Sequence, residues 1–297
     1  MPGTKGQHYI TENYQRNFAD KQGKVWFLDD QDKIFGTNPE NTFKEKHFYT
    51  VKFPSFPDPL VVEKTLAQME GEFARVVTKK ITKQKPLDAN DRVAISLFAS
   101  AMFLRGKPQR ESIKKFFKEA LGSMKAIKSD PKLVEFYKSL PSQPEEDSIS
   151  MSELESGVEN FDSFHSLAVM DNMLDIAPII FDMKWSLLIA PSGKSFVSSD
   201  RPLNMVSPER EMKYGPKAIG SLAGLAHQDT ELTLPISSQV TLLASWKYEE
   251  LGYIEATEKQ VDQLNYRIIR SSKRLIANSK EILEHILEVD KMKGTKS

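Results

Sequence analysis

The chain contains no cysteine. Disulfides, zinc–thiolate sites and thiol nucleophiles are therefore excluded. It also lacks an excess of either charge: 41 Lys plus Arg stand against 41 Asp plus Glu, so the formal net charge is zero. That argues against binding nucleic acid through bulk charge and leaves only a local basic patch for the purpose. No apolar run approaches the roughly 18 residues that span a bilayer, and the first residues lack the apolar core of a signal peptide. The expectation is a soluble, cytoplasmic protein with no membrane partner. Several motifs are missing too. There is no G-x-x-x-x-G-K-[ST] loop, no G-x-G-x-x-G turn, no G-x-S-x-G elbow and no H-E-x-x-H, so P-loop, dinucleotide, serine-elbow and zincin chemistries have no footing.

What is present is 297 residues with near-average glycine and proline, enough to bury a substantial core. They read as a single domain, 1–297, with a soft internal boundary at 141–150, where Pro141 to Asp147 (PSQPEED) makes the best linker. Apolar residues at helical spacing predict a helix over 60–82 (Leu66, Met69, Phe73, Val76, Val77, Ile81). A more uniformly apolar helix, capped by Asp88, runs to Arg105 and belongs at the centre of the fold. Further helices are expected over 111–128, with a basic outer face and Phe116 and Phe117 in the core, and over 132–140. Another should run from Phe164, capped by Ser163, to Ile180, with Leu167, Met170, Met173, Leu174 and Ala177 inward and a neutral His165 in its first turn.

Strand patterns predict hairpins at 24–37 and at 184–199, a short strand within 44–51 and a strand pair at 231–246. Residues 209–229 read as an irregular surface loop able to act as a lid. Thr257 caps a late helix, and Leu275 to Asp290 continues as a C-terminal one. The fold class is α+β: an antiparallel sheet of hairpins packed against a layer of long amphipathic helices.

The most unusual stretch is Gln7 to Asp20, QHYITENYQRNFAD. Thr11 caps a short helix from Glu12. Tyr14 and Phe18 share its buried face, and Glu12 and Arg16, four apart with the acid first, form an ion pair. Two interpretations stand side by side. In one, Arg16 pairs with Glu12 and His8 bonds a backbone carbonyl, all structural. In the other, His8, Tyr9, Arg16 and Asn17 line a polar site.

Elsewhere, Glu70 lies beside the apolar stripe of its helix, as a solvent-facing or an inward carboxylate. Arg105 ends the central helix, complementing its dipole or holding an anion. Ser198-Ser199-Asp200-Arg201-Pro202 crowds two hydroxyls, a carboxylate and a guanidinium into one corner. Either Asp200 closes a local Asx turn there, or it serves as a base or metal ligand. Asn265 and Arg267 are polar residues on a helix whose inner face is apolar.

The opening His8-Tyr9-Ile10-Thr11, Tyr14 and Arg16-Asn17-Phe18 resembles the signature of a bacterial domain family of unknown function, number 4238. Lys24 to Asp29, His47 to Thr50, Glu70-Gly71, Arg105 and Ser199 to Pro202 are similar to it as well. Thr11 replaces the family's usual proline, and Arg201 its more usual asparagine. The resemblance implies a bacterial or phage-type protein and a shared fold, and it supplies no reaction.

Two functions fit. The first is a hydrolase, a nuclease or phosphodiesterase. His8 is its general acid or base, Arg16 and Arg105 hold phosphate oxygens, and Asp200 or Glu70 orients the histidine or binds a divalent metal. Tyr9, Asn17 and Asn265 complete the ligand contacts, the partner being a small molecule or nucleic acid. The second is a non-catalytic ligand- or partner-binding module whose polar cluster is structural. A homodimer through the apolar helices is compatible with both.

Overall fold

The computed structural model describes residues 6–46, 48, 51, 58, 60–139, 151–214 and 224–292. The linker expected at 141–150 and most of the His47–Thr50 motif fall outside them. The protein is α+β, with antiparallel sheets against a layer of helices. The helical layer is α2 (Val61–Lys79), α3 (Ala89–Arg105), α4 (Lys107–Ser129), α5 (Pro131–Ser139), α6 (Met151–Glu159) and α7 (Phe161–Asp182). α3 packs between α2 and α7. It is apolar on nearly every side, burying Ala94, Ile95, Phe98, Ala99, Ala101 and Met102, and so it can only sit at the centre. Asp88 and Asp91 cap its start reciprocally. Phe73 of α2 stacks on Phe98 of α3 with ring centroids 3.7 Å apart. Arg92 fixes the far side: its guanidinium lies 4.4 Å from the Trp185 ring centroid and donates to the carbonyls of Phe181 and Met183.

Among the described residues, three sheets complete the fold. Strands β1 (Gln7–His8) and β4 (Lys44–Glu45) form a two-stranded ribbon. A four-stranded sheet has the order β3 (Ile34–Thr37), β2 (Val25–Leu28), β11 (Leu275–Ala277), β6 (Ser198–Ser199). A five-stranded sheet has the order β10 (Gly252–Glu255), β5 (Lys184–Ile189), β9 (Val240–Ser245), β8 (Glu231–Pro235), β7 (Asn204–Val206). The β2–β3 and β8–β9 hairpins are as the alternation predicts. Helices α1 (Glu12–Gln15), α8 (Pro208–Tyr214), α9 (Glu258–Arg270) and α10 (Lys280–Met292) finish the chain, and Thr257 caps α9.

Several expectations are corrected. Residues 184–189 and 195–199 are not a hairpin. The turn at Pro191–Lys194 forms, but β5 pairs with β9 and β10, while β6 crosses to the other sheet and pairs with β11. An apolar run says strand without saying which partner it takes. Leu275–Ala277 is a strand, not the start of the last helix, because the three residues fill the centre of a sheet between β2 and β6. β10 runs parallel to β5, an exception to the antiparallel rule. α7 starts at Phe161, so Ser163 lies inside its first turn and the N-cap position is Asn160. Phe116 is 67% exposed and Leu174 61% exposed, so neither is core. Residues 208–214 are helix α8 rather than loop, and 215–223 lie outside the described residues.

Candidate functional site

The opening stretch folds as its local chemistry dictates. Thr11 Oγ1 accepts the Tyr14 N–H at 3.1 Å, and the single turn of α1 tightens into a 3-10 turn over Arg16–Phe18. Tyr14 and Phe18 are fully buried. The Tyr14 hydroxyl donates to the Pro235 carbonyl at 2.7 Å and lies 2.8 Å from Ser198 Oγ. A phenol has one proton, so Ser198 is the donor in the second bond. One residue thereby ties α1 to the end of β8 and to β6, that is, to both larger sheets. Gln15 braces the same segment from the other side: its Nε2 donates to the Ile10 carbonyl at 2.8 Å and its Oε1 accepts the Thr42 hydroxyl. Thr42 follows the 3-10 turn Pro39–Asn41, which presents the Glu40 carbonyl.

Between this segment and α2 lies a cleft of about 300 Å³, lined by Gln7, His8, Thr11, Glu12, Asn13, Arg16, Glu63 and Glu70 among others. Glu63, Ala67 and Glu70 are four and three residues apart, one row of a helix, beside the row that buries Val62, Leu66 and Phe73. His8 Nε2 lies 3.2 Å from the Glu40 carbonyl oxygen. A carbonyl only accepts, so the neutral ring carries its proton on Nε2 and leaves its lone pair on Nδ1. Burial lowers the His8 pKa below the ordinary 6.5, against the opposing pull of the Glu40 carbonyl and of Glu12 and Glu70. His8 is therefore a neutral, oriented imidazole at pH 7. Glu70 Oε1 accepts from Arg105 Nη1 at 2.7 Å; Arg105 is only 1% exposed and also meets Met102 Sδ at 3.0 Å. Glu63 Oε2 accepts from Gln7 Nε2 at 2.8 Å, and Arg16 pairs with Glu12.

The structure brings together His8, Arg16 and Glu70, with Arg105 reaching them through Glu70. It separates the other candidates. Tyr9 is buried against Phe43 and Phe48, and its hydroxyl takes a hydrogen bond from Arg274 at 3.3 Å. Burial pushes its pKa up to about 12, so it is a structural phenol and does not line the cleft. Asn17 contributes its carbonyl to the Ser238 N–H and does not line the cleft either.

Asp200 lies in a different polar corner. It is 4% exposed, its Oδ1 accepts the Lys273 N–H at 3.2 Å, and its own N–H donates to the Arg274 carbonyl at 3.1 Å. The local turn is closed by Ser199 Oγ, which accepts the Arg201 N–H, rather than by Asp200. Gly106 lies against this corner: a Cβ there would sit 3.3 Å from the Asp200 carbonyl oxygen, a close approach glycine permits. Asn265 spans Val197 N and Ser195 O, joining α9 to the segment before β6. It lines a second pocket, of about 430 Å³, between α9 and α10, remote in makeup from the first. Asp200 therefore does not join His8 and Glu70 in the cleft, and among the described residues no three His, Asp or Glu side chains gather as a metal site. Glu63, Gln7 and Asn13 escaped the sequence reading. Glu63 was the legible one, seven residues before Glu70 on the same helix row.

The fold is α+β, and among the described residues a small, mixed-charge cleft lies between its N-terminal segment and α2. The chain belongs to the family described as "Protein of unknown function (DUF4238)", whose model matches residues 6–281. No curated protein and no solved structure matches the chain.

Proposed function

We propose that the protein is a hydrolase in which His8 is the general base. The observation that supports this is the state of the His8 ring: neutral, oriented by the Glu40 carbonyl, with its lone pair on Nδ1, at the wall of a cleft that also holds Glu70. A neutral imidazole next to a carboxylate can take a proton from water and share the resulting charge with that carboxylate. Arg105 holds Glu70 as an oriented anion. The phosphodiester form of this reading is the weaker one, since Arg16 and Arg105, the two cations meant for phosphate oxygens, each engage a carboxylate. That mutual pairing also favours a second reading, a ligand-binding module with no chemistry. A bacterial origin and a cytoplasmic location belong to the same proposal. α7 is the one described helix long and apolar enough to cross a bilayer, and it packs on α3.

The test is turnover of a panel of chromogenic esters, anilides and phosphodiesters by wild type and by His8→Gln. The hydrolase reading expects one class to be turned over and the variant to lose about 100-fold or more while its unfolding curve stays unchanged. No turnover of any class, or equal turnover by both proteins, overturns it and leaves the binding module.

A further inference from the structure

The lone pairs around the cleft indicate what it would take. Glu12, Glu63 and Glu70 each commit one oxygen to a single donor: Arg16, Gln7 and Arg105 respectively. Among the described residues no donor reaches the second oxygen of any of the three. His8 adds a fourth acceptor at Nδ1, because Nε2 is spent on the Glu40 carbonyl. Against these acceptors the lining offers one cation, Arg16, which is bound to Glu12 at the rim. A volume of about 300 Å³ admits a small molecule. An anionic ligand entering here would face three carboxylates and bring acceptors to acceptors. A neutral ester or amide would leave most of the carboxylate lone pairs without a donor.

We infer that the substrate of this cleft carries cationic nitrogen groups rich in N–H donors, ammonium or guanidinium, held by Glu63 and Glu70. The inference rests on the reading of the cleft as a substrate site, and it specifies the class that reading leaves open. Glu63 and Glu70 belong to one helix row, two turns or about 10.5 Å apart along the axis, so a molecule with a donor group at each end is suited to meet both. Charge-assisted hydrogen bonds of this kind are the stronger sort. Arg105, buried behind Glu70, donates to one oxygen of that carboxylate and fixes it. Arg16 and Glu12, both at the surface, form a pair that a competing cation can open.

The experiment is calorimetric titration of the full chain with agmatine, which carries a guanidinium and an ammonium. Choline serves as a cation without N–H donors, and dimethyl phosphate as an anion. Agmatine is expected to bind, choline to bind about tenfold more weakly or not at all, and dimethyl phosphate not to bind. Glu63→Gln should weaken agmatine about tenfold, the loss of one charge-assisted contact. Glu63 makes one partly buried bond, to Gln7, so that variant keeps its fold; Glu70→Gln serves as the second variant. Failure of agmatine to bind, equal affinity for wild type and Glu63→Gln, equal affinity for choline, or tighter binding of dimethyl phosphate overturns the inference. Because binding is read without turnover, the two proposals fail separately. Hydrolysis of a neutral or anionic substrate with no agmatine binding sinks the cationic class alone. Agmatine binding with no hydrolysis sinks the hydrolase alone.

Discussion

Replacing Asp200 with asparagine should stabilise the protein at neutral pH and leave it unchanged in acid. Burial pushes the Asp200 carboxyl from 3.8 up to about 6, over the opposing pull of the Lys273 and Arg274 backbone N–H groups and the nearby Arg274 and Lys273 charges. A folded-state value above the unfolded one means that stability is fully present below about pH 3.8 and is lost as the pH rises through about 6. The rise is about two units, or about 3 kcal/mol at pH 7.5. Asparagine has nearly the same shape, keeps an oxygen to accept the Lys273 N–H, and carries no charge to desolvate. The assay is urea unfolding of both proteins at intervals between pH 4 and pH 7.5, read as the difference between them, so that every other titrating group cancels. The difference should be only about 0.5 kcal/mol at pH 4 and should reach about 3 kcal/mol in favour of Asp200→Asn at pH 7.5. A difference that does not change with pH, or an asparagine variant that loses stability as the pH rises, refutes the assignment of Asp200 as a buried carboxyl that folding makes reluctant to ionise.

His165 carries the opposite sign. Burial, and then the Arg110 charge, depress its pKa from 6.5 to about 4, so the stability present above pH 6.5 is lost as the pH falls towards 4, by about 3 kcal/mol. The two groups nearly offset each other between pH 4 and 6. His165→Gln should therefore unmask the Asp200 slope in the wild-type background, and an unchanged pH profile in that variant counts against it. Tyr14→Phe removes the hydroxyl that joins α1 to both larger sheets. It leaves the buried Pro235 carbonyl and Ser198 hydroxyl without that partner, and should cost about 1–3 kcal/mol in urea unfolding; a loss under 0.5 kcal/mol would mean the two bonds are not made.

What could be read from the sequence was what local spacing determines. The Thr11 cap, the Tyr14–Phe18 face, the stripe of α2, the all-round apolarity of α3 and the β8–β9 hairpin all follow from residues within a few positions of one another. What could not be read depends on partners distant in the chain. The 184–199 segment announced two strands, yet nothing in it says that the first joins β9 and β10 while the second crosses to β11. Leu275–Ala277 is three apolar residues beside a helix, and only its position between β2 and β6 makes it a strand. The site divided in the same way. His8, Arg16 and Glu70 were found from residue type and meet in one cleft. Tyr9 and His8 are neighbours in sequence but not in role, because Tyr9 is packed against Phe43 and Phe48 while His8 stays at the cleft wall. Asp200 drew attention for chemistry and proved to be held by the Lys273 and Arg274 backbone.

The proposed chemistry turns on the state of one ring. Nitrogen NMR of the protein labelled in its histidines, with His8→Gln to assign the resonance, reads the tautomer and the pKa together. The expected result is a His8 imidazole that is neutral at pH 7, protonated on Nε2, and titrating below the ordinary 6.5. A ring protonated on Nδ1 in its neutral form, or one that titrates above 6.5, would contradict the assignment of His8 as an oriented base at the wall of the cleft.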